Sequence, residues 1–135
     1  MTSVSGSFEV QLGPEALSAT AAGSGLSRMS LDKRFHGPLD ATSKGEMLSF
    51  LDRGLMSGGY VAMELVQGTL AGKRGSFVLQ HSGSMVRGAP GLLVTVVADS
   101  GREELAGLRG TLVIRIEGGQ HFYDFDYTLE PIAAA

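Results

Sequence analysis

The stretch "YVAMELV", residues 60–66, sets a single carboxylate, Glu64, in the middle of an apolar run. Buried without a partner, such a carboxyl would have its pKa pushed up toward the range where carboxyls move protons. The alternative turns Glu64 outward, paired with a lysine or arginine of a neighbouring strand. Further on, Gln80 and His81 are adjacent in "SFVLQHSGSM". An extended chain sends them to opposite faces, so at most one of them reaches an interior. His81 shares its face with Phe77 and Leu79, and Gln80 with Val78 and Ser82. On an inner face, His81 can serve as general base or donate a hydrogen bond to a ligand oxygen. In "HFYDFDYTLE", His121, Tyr123, Phe125, Tyr127 and Leu129 alternate with Phe122, Asp124, Asp126, Thr128 and Glu130. The aromatic face goes inward. Catalysis is thus expected at Glu64 and His81, with Tyr60, Gln80, His121, Tyr123 and Phe125 around a substrate. The three histidines lie far apart with no ligand-like spacing, and no metal site is expected.

Those side chains need an interior, and period-two patterning supplies one. Strands are expected at Ser7–Leu12, Ser27–Phe35, Leu39–Leu51, Tyr60–Leu70, Ser76–Met85, Gly91–Asp99, Thr111–Glu117 and His121–Glu130. The second strand alternates cleanly, with Met29, Leu31 and Phe35 against Arg28, Ser30, Asp32 and Arg34. Gly13–Leu26 is small-residue-rich and aperiodic, and reads as a long loop. Twenty of the 135 residues are glycine, against a usual ~7%, which implies many tight turns. The phrase Leu-Ala-Gly-x-Arg-Gly occurs at Leu70–Gly75 and again at Leu105–Gly110. As a phosphate cradle it fails: Gly68 and Gly72 are too close, and Arg74 stands where a magnesium-holding hydroxyl is needed. It reads as a repeated corner. Eight strands on short connections close most economically into an up-and-down antiparallel barrel, all-β, one domain over 1–135. A two-sheet sandwich is the runner-up.

Composition narrows the function classes. Net charge is −3, and the eleven Lys and Arg are scattered, so no basic stripe for nucleic acid exists. Cysteine is absent, which excludes disulfides and thiol chemistry. No apolar run approaches the roughly 18 residues of a membrane helix, and the start lacks a signal-peptide pattern. A soluble cytoplasmic protein is the expectation. "LLVTVVA" and "YVAMELV" are apolar on both faces, so the outer face needs a cover, either the early loop or a second copy. A homo-oligomer is expected.

The stretches "YVAMELVQGTLAGKRGSFVLQHSG", "EELAGLRGT" and "HFYDFDYTL", with "SLDKRFHGPLDATSKGEML" before them, resemble a family of small bacterial proteins known as domain of unknown function 3224. The resemblance runs from about Ser27 to Leu129. It implies a barrel like that of allene oxide cyclase and the dirigent proteins, calycin-like in outline, with an apolar cavity and a glutamate at position 64. It implies no activity. The chain departs from the family at Asp52–Gly59, where "DRGLMSGG" replaces the usual turn. The resulting expectation is a cofactor-independent lyase or isomerase/cyclase acting on an apolar small molecule held in the barrel. Its alternatives are a carrier of such a molecule and a packed barrel serving as an interaction module.

Overall fold

The computed structural model describes residues 1–130. Nine strands follow in order: β1 (Thr2–Glu15), β2 (Ser27–His36), β3 (Leu39–Asp52), β4 (Ser57–Leu70), β5 (Lys73–Val86), β6 (Ala89–Val96), β7 (Arg102–Glu103), β8 (Leu108–Glu117) and β9 (Gln120–Leu129). Every pairing is antiparallel. Neighbours run β1-β2-β3-β4-β5-β6-β8-β9, and β9 returns to β1, so eight strands close a barrel. The two-residue β7 lies outside the ring, pairing with Gly75 and Ser76 of β5. The seam between β6 and β8 is thin, a single pair at Thr95 and Thr111.

Turn chemistry explains the tight corners. Ala71-Gly72, Arg87-Gly88 and Gly118-Gly119 all have positive φ at both central positions, the backbone twist that two-residue hairpins require. The first copy of the repeated phrase is therefore a hairpin corner. The second bridges β7 to β8, with Gly107 at φ 89°. Its Leu105 and Leu108 plug the barrel, each 1% exposed.

Along each strand, alternate residues enter the barrel. At the end closed by the β2–β3 and β4–β5 turns, the interior is solid: Phe35, Leu39, Leu70, Phe77, Tyr123 and Phe125 are all buried. Phe77 stacks on Phe125, centroids 6.0 Å apart, and Phe35 meets Tyr123 edge-on at 5.8 Å. Each such side chain contributes roughly 1.5–3 kcal/mol by leaving water. The opposite end, with the β1–β2 loop and the β3–β4, β5–β6 and β8–β9 turns, is more open. There the inner-face residues Leu12, Leu51, Leu92 and Ile116 remain exposed.

The outer face also carries the apolar side chains its sequence announces. Leu48, Val61, Met63 and Leu93 point away from the barrel and are about half exposed. The long loop folds back beside them, its Ala16 carbonyl accepting from Arg28 Nη1 at 2.8 Å. Between loop and sheet runs a groove of about 870 Å³ bordered by Leu17, Leu48, Val61, Met63 and Gln80. The loop borders this face without covering it.

Candidate functional site

Four polar side chains meet inside the barrel at mid-height. Glu64 of β4 is 1% exposed and points inward. Its Oε2 accepts from Lys33 Nζ of β2 at 2.8 Å and from His81 Nε2 of β5 at 2.6 Å, and its Oε1 accepts from Ser43 Oγ of β3 at 2.8 Å. Register builds this arrangement. Gly45 is the cross-strand partner of Glu64, and Ala62 is the partner of His81. With little or no side chain at those two positions, Lys33 and His81 reach the carboxylate from either side. Lys33 Nζ also lies 5.2 Å from the Phe8 ring centroid and 5.9 Å from that of Phe35, aromatic faces that favour a cation.

These contacts decide the charge of Glu64. Burial alone pushes its carboxyl up, in the direction the sequence predicts. The hydrogen bond from His81 and the charge and hydrogen bond of Lys33 outweigh that burial, and the carboxyl is held at about 2. Glu64 is therefore a carboxylate, not a poised acid. Because a carboxylate only accepts, the nitrogen facing it, Nε2 of His81, carries a proton. In the neutral ring, Nδ1 is then left as an acceptor, and it lies 3.4 Å from the Tyr60 hydroxyl. Burial, and then the Glu64 charge, raise the Tyr60 phenol above its ordinary pKa, which keeps its proton in place.

Tyr60 links this buried cluster to the open end. It lines a cavity of about 430 Å³ together with Met47, Ser49, Gly83, Met85 and Leu92. The chain thus runs from cavity to Tyr60, His81, Glu64 and finally Lys33.

Not every residue expected from the sequence joins it. Glu64, His81 and Tyr60 come together as one unit. Gln80 faces outward and is exposed, bordering the outer groove instead, because the strand parity that buries His81 expels its neighbour. Tyr123 and Phe125 face inward but lie in the packed end, both 0% exposed. Tyr123 Oη accepts from the Leu39 amide at 3.0 Å and donates to the His36 carbonyl at 2.9 Å, fastening the β2–β3 turn. His121 is half-buried against Phe8, ring centroids 5.2 Å apart, and lines a separate pocket of about 440 Å³ with Val10 and Gln120. It does not line the cavity at Tyr60. Lys33 and Ser43 are additional members that the sequence reading passes over. The signal for Lys33 lies in its parity, since it sits between Leu31 and Phe35 on the apolar face of β2.

A closed barrel, solid at one end and open at the other, with an ionic cluster beneath its mouth, belongs to the class of small cavity-bearing β-barrels. Within that class the chain belongs to the family described as Protein of unknown function (DUF3224), whose model matches residues 4–127. It is similar to the solved structure of a DUF3224 protein of unknown function from Shewanella oneidensis MR-1, with 53% identity over 98% of this chain and 99% of that one and a TM-score of 0.90. No curated protein matches the chain.

Proposed function

We propose that this barrel binds an apolar small molecule in the cavity beside Tyr60 and moves a proton on it without a cofactor, as an isomerase/cyclase or lyase does. The observation that carries this reading is the aligned series Tyr60, His81, Glu64, in which a phenol on the cavity wall backs onto an imidazole oriented by a carboxylate. Carboxylate-oriented imidazoles are competent bases because the tautomer is preset and the resulting imidazolium is stabilised. The step balances without an external reagent. A substrate proton passes to Tyr60 Oη as the phenolic proton moves to His81 Nδ1, and the imidazolium formed rests against Glu64. Return of the proton to a different substrate atom completes a redox-neutral isomerisation. Tyr60 and His81 are the reacting groups in this reading, and Glu64 positions His81.

A carrier reading has one observation in its favour: among the described residues, no buried side-chain polar atom lacks a partner. A satisfied network can serve stability alone. Recovery of bound molecules separates the two. Protein purified from host extract is denatured, the released molecules are identified by mass spectrometry, and each is returned to fresh wild-type and Tyr60→Phe protein. Conversion by wild type and not by the variant supports the catalytic reading. A released molecule that both proteins leave unchanged supports the carrier and removes the enzyme.

A further inference from the structure

We infer that the molecule taken by this cavity carries a hydroxyl group, and that this hydroxyl donates its hydrogen bond to Tyr60 Oη. The inference rests on the proposed function of the same site and names the polar group its ligand must present. It follows from the direction in which the buried hydrogen bonds point. Glu64, as a carboxylate, can only accept, so His81 presents a protonated Nε2 to it at 2.6 Å. Lys33, at 2.8 Å, already balances the Glu64 charge, and a second full charge on the His81 ring would be buried without a partner. The ring is therefore neutral and its Nδ1 is bare, with the Tyr60 hydroxyl 3.4 Å away as its donor. A phenol has one proton to give, and here it is given. What Tyr60 has left for the cavity is an acceptor, because among the described residues Oη has no hydrogen-bond partner besides His81. Donation to Nδ1 also makes Oη the better acceptor, as each bond in such a chain polarises the next. A carbonyl or ether oxygen finds no donor at Tyr60, whereas a hydroxyl completes the chain. The other hydroxyls on the wall, Ser49 and Ser84, rotate to suit either polarity and do not make the choice. An amine also donates, but at neutral pH it brings a charge, and the lining has no carboxylate to receive it. The ligand's hydroxyl proton then stands at the head of the relay through Tyr60 to His81.

Three probes on one skeleton separate the cases: cyclooctanol, cyclooctanone and cyclooctylammonium, titrated at neutral pH into the full chain while backbone amide resonances are followed. Cyclooctanol is expected to shift the Tyr60, Gly83 and Met85 amides and to bind roughly fivefold more tightly than the ketone, the value of one hydrogen bond. Tyr60→Phe, first shown to melt as a folded protein, is expected to abolish that preference by weakening the alcohol alone. Nitrogen-15 shifts of the His81 ring in the wild type without probe are expected to show a protonated Nε2 and a bare Nδ1. Ketone binding as tight as the alcohol's overturns the polarity while leaving a binding cavity in place. A proton on Nδ1 overturns it together with the relay. Tighter binding of the ammonium overturns the hydroxyl. An alcohol preference that survives Tyr60→Phe moves the hydroxyl to a serine and overturns the anchor. Silence of the cavity amides to all three probes up to their solubility overturns this inference together with the proposed function.

Discussion

The Tyr60 ring lies across the position of Gly83: a Cβ built on Gly83 would stand 2.2 Å from Tyr60 Cε1. The glycine lets β5 accept the ring flat against its backbone, and this brings the hydroxyl toward His81 two residues away. Gly83→Ala is expected to swing the ring out into the cavity. The cost is about 1–3 kcal/mol of stability, typical of overpacking, and the Tyr60 resonance titrates lower, toward an ordinary tyrosine. Combining it with Tyr60→Ala removes the clash, so the alanine at 83 then costs nearly nothing more. An equal cost in both backgrounds, from thermal melts, would show that the close approach has no energetic weight.

Acid stability follows from Glu64. Its folded carboxyl at about 2 lies below its ordinary value of 4.5, so the unfolded chain takes up a proton first as pH falls. The associated stabilisation is complete above about pH 5 and is lost progressively as the pH drops toward 2, on the order of 3 kcal/mol at 1.36 kcal/mol per unit. Wild type should lose melting temperature steeply across that window. Glu64→Gln, less stable at neutral pH, should show a distinctly flatter profile. Parallel profiles would mean that Glu64 is not the group that couples folding to acid.

The Lys33–Glu64 pair predicts strong coupling. Removing either partner leaves the other's buried charge without its counter-charge, so Lys33→Met and Glu64→Gln are each expected to cost about 3–5 kcal/mol. The double variant leaves no unpaired charge, and its cost should fall well below the sum of the singles. Chemical denaturation of the four proteins measures the cycle, and additivity would contradict the pairing.

How far these features can be read from the residues depends on which constraint sets them. The last strand is legible because its inner face is aromatic and its outer face acidic, and the hairpins because glycine or a glycine pair marks them. The first strand begins at Thr2, five residues before the apolar pattern does: Thr2–Ser7 is held by pairing with β9 and needs few apolar side chains. Lys33 escapes notice because a lysine among Asp32 and Arg34 looks solvated, and only its parity with Leu31 and Phe35 betrays it. Glu64 on an apolar face was the visible half of that pair. Parity also leaves open which of Gln80 and His81 is inside, until pairing with β4 sets His81 opposite Ala62. Height along the barrel is invisible to alternation altogether. Tyr60 and Tyr123 both face inward, yet one borders the cavity and the other lies in the solid end.

That difference in height separates structural from ligand-facing tyrosines by experiment. Tyr123→Phe removes the acceptor of the Leu39 amide and the donor to the His36 carbonyl, leaving a buried N–H unsatisfied at a cost of about 1–3 kcal/mol. The ring itself stays packed against Phe35, so the fold is retained. Binding of a neutral alcohol such as cyclooctanol, whose hydroxyl can donate to Tyr60 Oη, should be unchanged in this variant when followed by the Tyr60 and Gly83 amide resonances, in contrast to Tyr60→Phe, where stability moves little and binding weakens. The inverse pattern, with Tyr123→Phe impairing binding and sparing the melt, would move the ligand to the other end of the barrel. That end is closed by Leu105 and Leu108, so a ligand could reach it only if the connection carrying them opened.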